Sequence, residues 1–379
     1  MSPSFIFFFG RTPQLSLLEL STVFPSLRHL GDVGALVEAA MSPVEMMSRL
    51  GGTVKIAKVV GSVSSVTPRS ITPFLSKEKK SNHMVFGVSR YDCPDAVDRQ
   101  FLGTMKTILE EQGIRGRFIE AREATLSSVV VSKQDVVELT IVKQEDTFLI
   151  GRTLVVQPFE EWNKRDYGRP FADPKSGMLP PKVARMAVNI ASSGQTPLLL
   201  DPFCGMGTIV AEALLTGWRV IGCDQSAEVI EKAECNIRWL GSQYPSIDSS
   251  LAFIIGDATH ISDKITDEKI DSIVTEPFMG SSDIGKQKVD NRNTKKVQNI
   301  MKGLEKLYIG CLKDWHKVLK PGGKVVIALP EYHVGGKVYF VKKVIDSCES
   351  LGYTQLAGPI EYSRPQAVVR REFFVFQKK

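Results

Sequence analysis

The chain has 379 residues, of which 43% are hydrophobic and 24% charged, and its formal net charge is +6. This is ordinary globular composition over a length that predicts two or three domains, and the mild basic excess permits a polyanionic partner without requiring one. The six cysteines form no CxxC pair and no Cys/His cluster, so neither disulfides nor a metal site is expected. The apolar start Phe5–Phe9 is too short to span a membrane and lacks the basic start of a signal peptide, so it predicts a buried first strand in a soluble, cytoplasmic protein.

The first 80 residues predict a mixed α+β arrangement. A strand at residues 4–9 precedes a helix with Ser16 as its N-cap and Glu19 at the capping-box spacing. Gly51–Val63 alternates like a strand, and Gly61–Lys80, rich in Ser, Pro and Lys, is predicted to contain a loop.

A second unit is predicted from residue 81 to residue 150. Its expected elements are a helix over Asp95–Gln112 and strands over Met84–Val88, Arg115–Ile119, Val129–Val131 and Glu138–Val142. No catalytic constellation is present in residues 1–150, which therefore indicate a binding appendage.

The segment Gly151–Asp173 mixes charges, aromatic residues and two prolines, which predicts a structured linker. Its interleaved basic and aromatic residues suit phosphate contact and base stacking, although packing on a domain surface explains them equally well. These residues are Trp162, Lys164, Arg165, Tyr167 and Arg169.

From Thr196 onward the sequence repeats strand and helix, which predicts an α/β fold with a doubly wound, mostly parallel sheet of seven strands. The predicted strands are Pro197–Phe203, Arg219–Asp224, Ala252–Ile255, Ser272–Thr275, Lys324–Leu329, Thr354–Ile360 and Glu372–Gln377. The predicted helices are Pro181–Ala191, Thr208–Thr216, Ala227–Leu240, Thr294–Leu319 and Lys337–Leu351. Because no helix separates the last two strands, the sheet is expected to end in an antiparallel hairpin.

A glycine turn follows the first of these strands. The run from Asp201 through Gly205 and Gly207 opens the next helix, and this strand–turn–helix pattern is typical of a nucleotide-binding crevice. The dinucleotide fingerprint requires a third Gly or Ala three residues after the second glycine, and that position holds Val210. A pyrophosphate cradle is therefore not indicated.

Acidic residues close the next two strands. Asp224 ends the second strand, where a carboxylate can accept both ribose hydroxyls of an adenosine. Asp257 follows the third strand and can bind the adenine amine, while the backbone N–H of Ala258 can donate a hydrogen bond to a ring nitrogen. With Asp201, these acids suit a cationic ligand that carries adenosine without phosphate, which favours S-adenosylmethionine over NAD or ATP.

The fourth strand ends in Glu276-Pro277-Phe278-Met279-Gly280, at the edge of the sheet where chemistry is expected. A nucleobase amine is a poor nucleophile, and a carboxylate with a rigid carbonyl can accept its N–H bonds while an aromatic ring stacks on the base. Glu276, the Pro277 carbonyl and Phe278 supply these groups. The alternative is a strand end closed by Pro and Gly.

A polar loop follows at Ser281–Asn299. Its basic residues are placed to hold phosphates, or alternatively form a solvated helix start. They are Lys286, Lys288, Arg292, Lys295 and Lys296.

Several runs resemble class I S-adenosylmethionine methyltransferases and, more narrowly, the archaeal and eukaryotic THUMP-domain tRNA guanosine-10 N2-methyltransferases. They are FFFGRTPQLSLLEL, GIRGRFIEAREATLSSVVVSKQ, IGRTLVVQPFEEWNKRDYGRPFADPKSGMLPPKVARMAVNIA, LLDPFCGMGTI, GCDQS, GDAT, LKPGGKVVIALP and SRPQAVVRREFFVF. The run from Arg169 to Ile209 is the specific part of this resemblance.

The resemblance implies a domain order and roles for individual residues. It implies an N-terminal subdomain (1–80), a THUMP-like RNA-binding domain (81–150), a linker with a pre-strand motif (151–180) and the methyltransferase domain (181–379). Met178 and Pro180 would flank the cofactor, and Asp201, Gly205 and Gly207 would hold its methionine end. The family pattern Asp-Pro-Pro-Tyr differs from residues 276–279 at three of four places.

The first hypothesis is accordingly an S-adenosylmethionine-dependent enzyme that methylates the exocyclic amine of a tRNA guanine. The alternatives are an amino-methyltransferase acting on DNA and a tRNA-binding homologue that has lost catalysis. An activating subunit is left open.

Overall fold

A computed structural model describes residues 3–77, 83–93, 97–172, 178–192, 197–245, 247, 251–266, 269–280, 291–363 and 367–379, without the side chains of 291–294. The chain divides into two compact units, Met1–Glu161 and Trp162–Lys379. Among the helices in these ranges, none is long and apolar enough to cross a membrane.

The first unit is built on one mixed sheet. Its strands are β1 (Ser4–Phe9), β2 (Leu27–Leu30), β3 (Gly34–Glu38), β4 (Thr53–Val63), β5 (His83–Tyr91), β6 (Arg115–Phe118), β7 (Val137–Gln144) and β8 (Thr147–Val156). Its helices are α1 (Pro13–Val23), α2 (Pro43–Arg49), α3 (Pro68–Ser76), α4 (Arg99–Glu111) and α5 (Ser128–Lys133). Within the described residues the strand order is β2-β3-β1-β4-β8-β7-β5-β6. The apolar first strand is buried as predicted, because its phenylalanines pack on both faces of the sheet.

The observed division of the chain between Glu161 and Trp162 falls within the predicted linker at 151–180, and the predicted domain boundaries stay predictions. β8 runs across residue 150 and pairs with β4 and β7, and β4 and β5, on either side of residue 80, belong to one sheet. Residues 151–156 therefore complete a strand of the first unit. The division of residues 1–150 into two subdomains stays a prediction.

The N-terminal helix begins earlier than predicted. Its N-cap is Thr12, and Ser16 is buried with its hydroxyl donating to the Thr12 carbonyl at 2.8 Å. Glu19 does not form a capping box; its carboxylate accepts the backbone N–H groups of Gly51 and Gly52, each at 2.8 Å. The Glu19 side chain therefore forms a long-range contact with Gly51 and Gly52 and does not cap the start of its own helix.

One further prediction in this unit is wrong. Val129–Val131 lies in α5 rather than a strand, because the hydroxyl of Ser127 accepts the N–H of Val130 and caps a helix. The loop predicted within Gly61–Lys80 is present at residues 64–67, between the end of β4 at Val63 and α3, which begins at Pro68.

The second unit is the predicted α/β domain. After α6 (Phe159–Tyr167), its helices are α7 (Pro181–Ile190), α8 (Thr208–Leu214), α9 (Ala227–Gln243), α10 (Asn291–Val318) and α11 (Lys342–Cys348), with a 3-10 helix at Ala258–Asp263. Its strands are β9 (Leu198–Asp201), β10 (Arg219–Asp224), β11 (Leu251–Ile255), β12 (Ile270–Thr275), β13 (Leu319–Val334), β14 (Lys337–Phe340), β15 (Tyr353–Tyr362) and β16 (Val369–Lys378).

Within the described residues the sheet order is β11-β10-β9-β12-β13-β16-β15, with β14 paired to β13. The first five strands are parallel, and β16 is antiparallel to both β13 and β15, as the missing helix between the last two strands predicted. The carboxyl ends of the parallel strands therefore meet along one edge. The largest buried cluster includes Tyr308 and Trp315 of α10 together with Ile273 and Val325 of the sheet.

The helix predicted over Lys337–Leu351 is wrong in its first part. Lys337–Phe340 forms β14, which pairs with the extended end of β13 through a turn at Gly335 and Gly336, whose φ angles are 62° and 72°. Only Lys342–Cys348 is helical.

Candidate active site

The glycine turn has the geometry that the sequence indicated. β9 ends at Asp201 and α8 begins at Thr208, with Gly205 and Gly207 at φ angles of 50° and 81°, which residues with a Cβ adopt at a cost. Val210 is fully buried against β10, where a Cβ added to Gly222 would lie 3.2 Å from it. The bulky residue is on the helix and the glycine on the strand, the reverse of the dinucleotide arrangement.

A cleft of about 1210 Å³ opens at the carboxyl ends of the strands. Nine of the eleven predicted site residues line it: Met178, Asp201, Gly205, Asp224, Asp257, Ala258, Glu276, Pro277 and Phe278. The other two lie at helix starts, since Pro180 is the N-cap of α7 and Gly207 the N-cap of α8. The predicted residues thus converge from four strands onto one volume.

Asp201 is the most buried acid of the cleft, with 1% of its surface exposed. Its Oδ1 accepts the Thr275 hydroxyl at 2.8 Å and the Phe203 N–H at 3.3 Å. Burial raises the pKa of Asp201 to about 7, with smaller contributions from the negative charges of Asp224 and Glu276, while the two hydrogen bonds oppose the shift. A cationic ligand would favour the ionised form.

Asp224 and Asp257 combine a local role with access to the cleft. Asp224 Oδ1 accepts the Ser226 N–H at 2.9 Å, and the N-cap of α9 is Ser226 itself. Asp257 Oδ1 accepts the N–H and hydroxyl of Thr259, both at 2.8 Å, and these bonds lower the pKa of Asp257. Both carboxylates are held in fixed orientations at the rim.

The corner at residues 276–280 is held from behind by two tyrosines. Tyr308 donates its hydroxyl to the Phe278 carbonyl and Tyr332 to the Met279 carbonyl, each at 2.6 Å. A Cβ added to Gly280 would lie 2.4 Å from the Tyr332 oxygen, so only glycine permits this approach. Burial raises the pKa of Tyr332 to about 12 and that of Tyr308 well above its ordinary value, so both remain donors.

Glu276 is fixed by two groups. Arg371 Nε donates to Glu276 Oε1, and the Leu179 N–H donates a second hydrogen bond to the carboxylate. Burial raises the pKa of Glu276, whereas the charge and hydrogen bond of Arg371 act against that shift. The Pro277 carbonyl has no hydrogen-bond partner within the described part of the chain.

The aromatic ring of this corner lies at the mouth of the cleft. Phe278 is 60% exposed, although large aromatic side chains are usually buried. The ring is therefore available to a flat ligand. Met279 also lines the cleft.

One part of the cleft wall was not predicted from the sequence. Helix α10 contributes the face Gly303, Lys306, Leu307 and Gly310. These residues follow the i, i+3, i+4, i+7 spacing of one helix face, a signal that the sequence contained.

Asn236 of α9 was also missed. Its amide donates to the carbonyls of Phe171 and Met206 and accepts the Phe171 N–H, each at 2.9 Å. It joins the segment before the domain to the glycine turn, and no local pattern marks it.

The basic and aromatic residues before the domain are mostly structural. Trp162 is buried, Arg165 pairs with Glu212 at 2.8 Å, and Arg169 donates to the Thr208 hydroxyl at 2.7 Å. Glu212 also pairs with Arg185 at 2.7 Å. These contacts support packing over nucleic-acid contact. Tyr167 differs, being 81% exposed.

Only part of the basic loop lies within the described residues. Lys286 and Lys288 lie outside the described residues, and Arg292 is placed in α10 without its side chain. Lys295 and Lys296 are exposed in the first turns of α10. No group of three or more His, Cys, Asp or Glu within the described ranges could hold a metal ion.

The parallel sheet with its antiparallel end, the glycine turn and the acidic cleft define a class I S-adenosylmethionine-dependent methyltransferase. Two solved structures share the fold over nearly the whole chain. TrmN from Thermus thermophilus has 17% identity and a TM-score of 0.58, covering 100% of both chains. SMU.472, complexed with SAH, has 13% identity and a TM-score of 0.51, covering 100% of this chain and 99% of the other.

Sequence comparison defines the family. Residues 197–361 match a model described as a methyltransferase domain, and residues 139–235 match one described as a DNA methylase. The tRNA (guanine(10)-N2)-dimethyltransferase of Methanothermobacter thermautotrophicus is 30% identical over 284 residues, 70% of this chain and 76% of the relative. The protein of the same name from Methanocaldococcus jannaschii is 31% identical over 211 residues, 55% and 53% of the two chains. The chain belongs to the tRNA (guanine(10)-N2)-dimethyltransferase family.

Proposed function

We propose that this protein methylates the exocyclic amine of guanosine 10 in tRNA, with S-adenosylmethionine as the methyl donor. The observation that carries the proposal is the corner at residues 276–280, where a fixed carboxylate, a proline carbonyl and an exposed aromatic ring adjoin the acidic cleft. The relatives named as tRNA (guanine(10)-N2)-dimethyltransferases support the choice of base and position.

The residues of the cleft fit S-adenosylmethionine. Asp201, Asp224 and Asp257 line the cleft, and none of the three forms a salt bridge with a described Lys or Arg. Gly205 leaves open space where a side chain would stand. Asp224 would bind the ribose, Asp257 and the Ala258 N–H the adenine, and Asp201 and the glycine turn the methionine end. Bound there, S-adenosylmethionine supplies an electrophilic methyl group on a sulfonium centre.

Glu276 and Pro277 would activate the guanine amine. Its lone pair is delocalised into the ring, and acceptors for its two N–H bonds draw the pair out of conjugation. The Glu276 carboxylate would accept one N–H and the Pro277 carbonyl the other. Glu276 would then take the proton that the nitrogen releases on methylation.

Phe278 would stack on the target base. An exposed ring beside the acceptors offers a surface for a base withdrawn from its helix, where stacking contributes about 1–3 kcal/mol per base. The hydrogen bonds from Tyr308 and Tyr332 to the Phe278 and Met279 carbonyls would fix the position of the Phe278 ring relative to the two acceptors.

The tRNA itself would be held by other parts of the chain. We assign phosphate contacts to the basic set Lys286, Lys288, Arg292, Lys295 and Lys296. Residues 81–150 would act as the THUMP-like RNA-binding domain, and the protein would work in the cytoplasm.

The test is methyl transfer to unmodified tRNA transcripts with labelled S-adenosylmethionine, followed by mass spectrometry of the nucleosides. We expect N2-methylated guanosine, and no labelling when guanosine 10 is replaced by adenosine. Glu276→Gln should lose activity while it retains cofactor affinity. Label in duplex DNA would favour the DNA amino-methyltransferase, and cofactor binding without any transfer would favour a catalytically inactive tRNA-binding protein.

A further inference from the structure

Arg371 reaches the catalytic corner from the far end of the sequence. It lies on β16, paired with Pro330 of β13 on one side and with Tyr362 of β15 on the other. Its guanidinium carbon is 5.9 Å from the centre of the Tyr362 ring, while Nε donates to Glu276. The side chains of Arg371 and Glu276 are 15% and 16% exposed. The Arg371–Glu276 pair is therefore largely buried, and its arginine is held by a strand that pairs on both sides.

The role proposed for Glu276 requires a charged carboxylate. A protonated carboxyl group carries an O–H donor on one oxygen, has less acceptor capacity and cannot take the proton from the amine. The burial that shapes the pocket raises the pKa of Glu276 and so favours the protonated form. A group that compensates for burial is therefore needed, and among the described residues Arg371 supplies both a positive charge and a hydrogen bond.

We propose that Arg371 is a positioning residue that keeps Glu276 ionised and directs its carboxylate at the target amine. This inference rests on the role of Glu276 in the proposed function. Arg371 bonds to one oxygen and the Leu179 N–H gives a second fixed point, so the orientation of the carboxylate is determined without the substrate.

The guanidinium group is suited to this role in a way that an ammonium group is not. It stays charged at all working pH values, and its planar shape permits donation from Nε while the group lies near an aromatic ring. Lysine would retain the charge but lose this geometry.

The same strand provides a matched control. Arg370, the preceding residue, pairs with Glu361 at 3.0 Å, with 34% and 44% of the two side chains exposed. Because neighbouring residues of a strand point to opposite faces, this pair lies away from Glu276. Arg370→Gln removes an arginine pair from β16 without touching the corner.

The experiment is the pH profile of kcat/KM for tRNA in the wild type, Arg371→Gln, Arg371→Lys and Arg370→Gln. Saturating S-adenosylmethionine is used at every pH, so that the titration of Asp201, whose charge also faces Glu276, does not set the acidic limb. We expect the acidic limb of Arg371→Gln to move to higher pH by about one unit or more, since a nearby opposite charge lowers a carboxyl pKa by about 1–3 units. Activity lost at neutral pH should return as the pH rises, with KM for S-adenosylmethionine unchanged. Arg371→Lys should keep the limb and lose kcat, and Arg370→Gln should match the wild type.

Two results would overturn the inference. One is an Arg371→Gln profile with the wild-type acidic limb; the other is a loss of activity that no rise in pH restores in a variant with a normal unfolding midpoint. A substrate-free readout separates this from a failure of the proposed function. Thermal stability is measured against pH for the wild type, for Arg371→Gln and for each of these with Glu276→Gln added. The stability difference that Glu276→Gln makes in each background follows the titration of Glu276, even if no tRNA is methylated. That titration must move to higher pH when Arg371 is replaced.

Discussion

Replacing Asp201 with asparagine is expected to remove a pH dependence from cofactor binding. The carboxyl of Asp201 is buried and has a pKa of about 7 without ligand, whereas its ordinary value is 3.8. If only the ionised form binds the cationic cofactor, affinity should fall about 30-fold from about pH 8 to about pH 5.5, with one proton released per cofactor bound at the acidic end. Asp201→Asn should bind weakly at every pH and show neither the slope nor the proton release.

The same titration affects the free protein. Because the folded pKa lies above the unfolded value, the stability associated with the neutral carboxyl is complete below about pH 4 and is lost as the pH rises through about 7. A shift of about three units corresponds to roughly 4 kcal/mol as an upper limit. Asp201→Asn should therefore be more stable than the wild type at about pH 8 and equal to it near pH 4.

Calorimetry in two buffers of different ionisation enthalpy measures affinity and proton release together. Asp257→Asn is the control, since the pKa of Asp257 is lowered by its bonds to Thr259 and the residue stays ionised over this range. That variant should lose affinity by a constant factor. An unchanged pH slope in Asp201→Asn would refute the reasoning.

Three other substitutions test the surroundings of the site. Glu372→Gln should raise the free energy of unfolding by about 1–3 kcal/mol at pH 8 and by nothing near pH 4, because burial raises the pKa of Glu372 to about 7; denaturant titration measures this. Glu212→Gln should destabilise the fold by about 3–5 kcal/mol, since it leaves the largely buried Arg165 and Arg185 without their counter-ion. As the control, Glu45→Gln removes an exposed ion pair and should cost less than about 1 kcal/mol in the same titration. Asn236→Ala should weaken S-adenosylmethionine binding about tenfold in calorimetry, because the Met206 carbonyl of the glycine turn loses its donor.

Much of the second unit could be predicted because its pattern is local. Buried parallel strands are continuous apolar runs, and the residues that follow them must meet at one edge of the sheet. β10 has the predicted bounds, Arg219–Asp224, and most of the predicted site residues share one cleft for this reason.

The errors arose where tertiary contacts override local preference. Val129–Val131 has the β-branched composition of a strand, yet a serine cap and packing make it helical. Glu19 has the spacing of a capping box, yet it serves two backbone groups 32 and 33 residues away. The hairpin at β13 and β14 is different: Gly335-Gly336 is a turn signal that the sequence contained and helical periodicity obscured.

The departure of residues 276–279 from the Asp-Pro-Pro-Tyr pattern is better understood with Arg371 in view. Shortening Glu276 to Asp would withdraw the carboxylate by about 1.5 Å, one carbon–carbon bond, from the arginine that contacts it. A near-buried carboxylate without that contact would be neutral over more of the pH range, because its burial would be uncompensated. The glutamate and the arginine are therefore best regarded as one unit, although 95 residues separate them in the chain. A motif comparison includes only the glutamate, and for that reason the corner differs from the family pattern in sequence while the fold holds its carboxylate in a fixed orientation.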